Sequence, residues 1–212
     1  MTAEPVASMQ PPGLNCVSSR APASPVARHP SLFVQLNTRW HRTGLLVFGL
    51  VVLGHWAEHV AQAVQIWVLH YPKPAAHGLI GAEWPWLVTS EWLHYGFALV
   101  MLVGLAVLYK GFTGRAKVFW TIALAIQVWH FFEHQILLWQ AVTHDYWFGG
   151  KVPTSVLQAV WPMDRPEIHL FYNTLVTIPM VVALYFHTRP PAHENHLLST
   201  CSCKRTMLAP AA

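Results

Sequence analysis

Charge is what this chain has least of. Its 212 residues include 13 Lys or Arg and 9 Asp or Glu, so 10% are charged and 54% are hydrophobic, whereas soluble domains carry roughly 25% charge. That shortage excludes an ordinary soluble domain and points to an integral membrane protein. Cysteine is scarce too: Cys16, Cys201 and Cys203 all fall in the tails, which excludes a disulfide framework. There is no glycine-rich phosphate loop in a strand-to-helix context and no basic patch interleaved with aromatics, so neither nucleotide nor nucleic-acid binding is expected. No Ser or Cys nucleophile stands beside a histidine in the apolar stretches; Thr89 and Ser90, about a turn above His94, come closest.

What is present is four long apolar stretches, about Gly44 to Leu69, Trp84 to Tyr109, Val118 to Ala141 and Ile168 to Phe186. Each is long enough as a helix to cross a hydrocarbon core of roughly 30 Å. The expected fold is therefore an all-α integral membrane protein, a four-helix bundle of two tandem two-helix repeats at residues 43–110 and 111–187. Tails at 1–42 and 188–212 flank it. The first forty residues, with Pro5, Pro11, Pro12, Pro22, Pro25 and Pro30 among Ala and Ser, read as disordered. They lack the compact basic-then-apolar start of a targeting peptide, so the first span is expected to stay as an anchor.

Sidedness follows from the basic residues. Arg20, Arg28, Arg39, Arg42, Lys110, Arg115, Lys117, Arg189, Lys204 and Arg205 fall on one side, against Lys73, Lys151 and Arg165 on the other. This bias puts both termini in the cytoplasm, with the cell membrane as the expected location. The tail string His193, His196, Cys201 and Cys203 has soft-metal chemistry, but short tails collect such residues by chance.

The repeat is carried by an offset of 75 positions. His55 pairs with His130, Glu58 with Glu133, His59 with His134 and His94 with His169; Gln65/Gln140, Tyr71/Tyr146, Trp86/Trp161 and Val107/Val182 keep the same register without a gap. At about 1.5 Å per residue, His55, Glu58, His59, Glu91, His94, His130, Glu133, His134, His169 and Asn173 fall in one slab about 9 Å thick, in the outer half of the bilayer. At about 100° per residue, His55, Glu58, His59 and Gln62 share one face of the first span, and His130, Glu133 and His134 repeat it on the third. An intramembrane charge is disfavoured by roughly 2.5 to 3.5 kcal/mol. With no Lys or Arg in the slab, the expected partners of the glutamates are histidines, amides, protons or a cation.

His-x-x-Glu-His is the inverted order of a zinc-protease motif, whose spacing turns two imidazoles to one metal and leaves the carboxylate as base. Two copies in register, each joined by a histidine of the following span, make His55, Glu58, His59, His94, His130, Glu133, His134 and His169 the expected ligands of a transition metal, iron or zinc, as a dinuclear centre. The ligand type resembles that of soluble four-helix di-iron proteins, which carry Glu-x-x-His on two helices. Glu91-x-x-His94 fits that spacing, but its repeat mate is Pro166. Glu91, Glu58 and Glu133 are the catalytic candidates, as bridging ligand or acid and base, and Glu167, one place off register, ranks below them.

Several residues read more plainly. Gln62, Gln65, Gln135 and Gln140 are expected as glue between helices, with Gln65 and Gln140 also able to orient ligands. Trp84, Trp86, Trp92, Trp139, Trp147 and Trp161 read as the outer interfacial belt, and Gly104 with Pro179 as a bend. His70, His144, His187, His193 and His196, at ends or in tails, read as solvated, as do Asp145 and Asp164.

The leading expectation is a membrane metalloenzyme, oxidoreductase or metal-dependent hydrolase, acting on a lipid-like or small hydrophobic substrate, with an unidentified redox partner in the former case. The alternative is a metal-ion or proton transporter. The third choice is a b-type cytochrome with bis-histidine haem.

Overall fold

The computed structural model describes residues 30–161, 163–194 and 202–203. The leader with Cys16, Arg20 and Arg28 lies outside the described residues, as do His196, Cys201, Lys204 and Arg205. The described elements are all helical, with no strand among them.

Four long helices run up and down: α2 His41–Trp67, α5 Glu91–Leu108, α6 Gly114–Thr143 and α8 Arg165–Thr188. A short α1, Leu32–Leu36, precedes them. The connection from α2 to α5 carries α3 Ile80–Glu83 and α4 Pro85–Val88, and the connection from α6 to α8 carries α7 Val156–Val160. Both connections therefore lie at one end of the bundle, the loop end, while α1 and the turn at Tyr109–Gly111 lie at the other. Among the described residues three helical segments, His41–Trp67, Glu91–Gly111 and Arg165–Thr188, are long and apolar enough to cross a membrane. The chain is thus consistent with an integral membrane protein. Helix α6 is longer but less apolar, because Gln127, His130, Glu133, His134 and Gln140 are buried along it.

Local chemistry sets the helix ends. Proline disfavours a helical conformation in the residue before it, and Trp84, before Pro85, is non-helical at φ −129° and ψ 71°. Ser90 then caps α5 by accepting from the Trp92 amide at 3.2 Å. Residues 84–90, expected inside the second span, are instead a short helix and a break, and Glu91 becomes the first residue of α5. Residues 32–42 also depart from the disordered tail expected there. Ser31 caps α1, and Asn37 donates to Val107 O at 2.8 Å while accepting from the Gly111 amide at 2.7 Å. Those two bonds tie α1 to the end of α5. Thr38 O and the Arg42 amide bind the backbone and hydroxyl of Ser202, so part of the C-terminal tail folds back there.

The half of the bundle near the termini is a close apolar core of Phe48, Leu105, Phe112, Trp120, Ala123 and Ala183, among others. Tyr109 bonds back to Ala106 O instead of Leu105 O, which leaves the Leu105 carbonyl to accept from the Trp120 indole at 2.8 Å. The Phe48 ring fills the notch at Gly104, where a Cβ would come within 2.3 Å of it. Pro179 sits buried inside α8. His187, read above as solvated, is corrected: it is buried at 1% exposure against His41 and Phe112. Helix α8 turns that residue inward over the apolar core. The buried polar side chains of α6 and α8 other than His187 lie toward the loop end, and helix α6 packs along both α5 and α8, whereas α2 touches its neighbours over shorter stretches.

Candidate metal centre

Six histidines from four helices meet in the loop-end half of the bundle. Helical spacing puts His55 over His59 on α2 and His130 over His134 on α6, with ring centroids 4.4 and 4.6 Å apart. His94 and His169 close the group from α5 and α8, stacked on each other at 4.7 Å. His134 lies 5.4 Å from His169, and His59 lies 5.5 Å from it. Each set of three that shares the 75-residue offset thus merges into a single cluster. Phe97 packs flat on His55 at 3.6 Å, and Tyr172 covers His130 at 4.5 Å. Neither aromatic was singled out from sequence, since an aromatic within a span carries no signal of its own.

The nitrogens have defined partners. His59 Nδ1 meets Gln62 Oε1 at 2.9 Å, and His94 Nδ1 meets the Ser90 carbonyl at 2.9 Å. A carbonyl oxygen only accepts, so in both rings Nδ1 carries the proton and Nε2 is left with its lone pair. This is the arrangement that orients metal-binding imidazoles. His59 Nε2 and His55 Nε2 are 3.1 Å apart. Two nitrogens bound to one ion at about 2.0–2.1 Å each stand about 2.9 to 3.4 Å apart, so this pair has ligand spacing. His130 Nδ1, His134 Nδ1 and Asn173 Nδ2 are buried and have no hydrogen-bond partner, which buried polar atoms seldom tolerate without a further group. Among the described residues, however, no three His, Cys, Asp or Glu side chains converge closely enough to hold an ion as they stand. The donor set fits a transition metal; the convergence of a third donor is what these positions lack.

The glutamates stand apart from the histidines in their contacts. Glu58 accepts the amides of Leu79, Ile80 and Gly81 at 2.9 to 3.4 Å, at the start of α3. Glu133 Oε1 accepts the Leu157 amide at 3.1 Å, at the start of α7, and its Oε2 is buried without a partner. Anionic side chains are favoured at helix N-termini by the orphan amides there, so each carboxylate holds down the connection above it. Gln65 and Gln140 act alongside them. Gln65 exchanges two hydrogen bonds with Gly78, at 2.8 and 3.1 Å, and Gln140 exchanges two with Thr154, at 3.2 and 2.8 Å.

Glu91, one of the expected catalytic groups, forms an ion pair with Arg165, which also donates to Pro153 O at 3.2 Å. The expectation that no Lys or Arg is placed to pair with the carboxylates is therefore corrected for Glu91. α5 and α8 both begin at this level, and their first residues, Glu91 and Arg165, face each other. The signal was available in sequence, because the register breaks at Pro166 and the adjoining residue is a lone cation. Glu167 and Asp164 both bind Lys73 across the mouth of the bundle, Glu167 at 2.6 Å. The hydrogen bonds that the Lys73 ammonium donates, first to Asp164 and then to Glu167, hold its pKa above the ordinary lysine value of 10.5. Asp164, expected to be merely solvated, is thus part of a bridge. The six tryptophans expected as a belt are all exposed.

Two cavities reach the histidines. A vestibule of about 500 Å³ at the loop end is lined by Lys73, Asp164 and Arg165 and descends to His94 and His169. A slot of about 130 Å³ between α2 and α5 touches His55, His59 and His94. The space among the six histidines themselves is about 10 Å³. Comparison with protein-family models, with curated proteins and with solved structures finds no match for this chain.

Proposed function

We propose that this protein is a multi-pass membrane metalloprotein whose six histidines hold iron or zinc, as a dinuclear centre, and that it is an enzyme acting on a lipid-like or small hydrophobic substrate. In this reading all four long helices span the membrane as two repeats, with both termini cytoplasmic. The observation that carries it is the commitment of His59 Nδ1 and His94 Nδ1 to oxygen acceptors, which leaves ligand-ready Nε2 atoms on α2 and α5. The matched loop contacts of Glu58 and Glu133, and of Gln65 and Gln140, support the repeat.

His55, His59, His94, His130, His134 and His169 are the proposed ligands. A bound iron ion would supply redox chemistry, and a bound zinc ion Lewis acidity for hydrolysis. Of the carboxylates, Glu133 keeps one oxygen without a partner and is the proposed proton-handling group beside the cluster. Glu58 and Glu91 act here as positioning residues, through α3 and Arg165. His59, His130 and His134 are buried, the vestibule brings water to His94 and His169, and the slot offers an apolar approach to the cluster.

The haem reading is disfavoured because the space among the histidines, about 10 Å³, is far too small for a porphyrin. Transport is disfavoured because the vestibule ends at the histidines and the apolar core lies beneath them. Elemental analysis of purified protein tests the proposal. At least about one metal per chain, lost in His59→Ala and His134→Ala, is expected. Less than about half a metal per chain, unchanged by those substitutions, overturns it, and a Soret band would favour haem.

A further inference from the structure

Three cavities lie along the seam between α2 and α5. The polar vestibule and the histidine slot share Gln62, Val88 and His94. One helical turn below the slot begins an apolar groove of about 620 Å³, lined by Val47, Phe48, Val51, Val100, Val103 and Gly104 among others. The seam stays open because α2 meets α5 over only a short stretch, while α5 and α8 close tightly on α6. Gly54 contributes to this gap: a Cβ built there meets nothing within 4 Å. Polarity falls steadily along the track, from the ionic bridge of Lys73, past the histidines, to bare valines.

We propose that this seam binds a single-chain amphiphile, with its polar head in the vestibule and its alkyl chain in the α2–α5 groove, so that a carbon below the head lies at the histidine slot. The polarity gradient of the track matches that of such a molecule lying in one leaflet. From Gln62 to Gly44 the track runs about 27 Å along α2, the reach of a long chain and its head. Access is lateral, from the bilayer, between α2 and α5; α8 contributes to the vestibule alone, through Arg165, Pro166 and His169. What happens to the chain at the histidines rests on the metal reading; binding along the seam does not.

The test uses full-length protein in nanodiscs with a long-chain primary alcohol carrying a diazirine at mid-chain. Light-induced labels are mapped by mass spectrometry, and metal content is measured on the same samples. Labels are expected on residues 47–54 and 97–104. They should fall about tenfold in Gly54→Trp and less in Gly54→Leu, in proportion to the chain contacts excluded. Val128→Trp, on the exposed face of α6, should leave them unchanged. Size-exclusion profiles and thermal melts show whether each variant is folded. Labels spread equally over the lipid faces of α6 and α8, or undiminished in folded Gly54→Trp and Gly54→Leu, overturn the proposal. Seam labelling without metal sinks the metal reading alone, and metal without seam labelling sinks this inference alone.

Discussion

His59 Nε2 lies 3.1 Å from His55 Nε2 while its other ring nitrogen is held by Gln62. One side chain therefore sets the tautomer of His59, one of a pair of donors at ligand spacing. Gln62→Leu should keep the fold, since Gln62 is only partly buried, but weaken metal binding by about 10 to 100-fold. Titration against a competing chelator reads this. Equal affinity in Gln62→Leu and the parent would remove Gln62 from the site.

Glu58 is a structural anion in these contacts, and its neighbour Gly78 shows how tightly it is held. Gly78 has φ +76°, and a Cβ there would sit 2.3 Å from Glu58 Oε1. Gly78→Ala should lower stability by about 1 to 3 kcal/mol, through left-handed strain and displacement of the carboxylate. Gly54→Ala, in open space, should not. Thermal unfolding in detergent compares them, and equal effects would contradict the assignment.

The Glu91–Arg165 pair is partly buried, with Glu91 10% and Arg165 36% exposed. Removing one partner strands the other, so Glu91→Gln and Arg165→Met should each cost about 1 to 3 kcal/mol, below the range for fully buried pairs. The double variant should cost less than their sum. A double-mutant cycle measures the coupling, and strict additivity would show that the pair carries no energy.

Lys73 gives a pH prediction with a definite sign. Its folded-state value is raised above 10.5 by Asp164 and Glu167, so the bridge contributes fully below that value and is lost as pH rises through the folded one. Proteolysis of the connection around Lys73 should stay constant from neutral pH and accelerate only above the ordinary lysine range. Lys73→Met should abolish that step. A step well below the lysine range would assign the bridge to another group.

Which histidines gather was legible in the sequence, because i and i+4 positions share a helix face and depth follows from residue count. Neither depends on anything beyond the local helix. The direction of the carboxylates was not legible. Glu58 and Glu133 turn to amides some twenty positions away, in connections whose short helices leave no periodic trace. Glu91 turns to Arg165, which reaches it only after two further helices have packed.

By itself the sequence determined an apolar helical chain and a paired histidine pattern, since hydropathy and helical period are local properties. The tertiary structure decided that the six imidazoles form one cluster, that Glu58 and Glu133 hold the connections and that Glu91 pairs with Arg165. It also decided that His187 is buried with His41 and that α2 stands off from α5. Those outcomes depend on which side chains fill the space between helices, and packing between distant segments is not written in the period of any one of them.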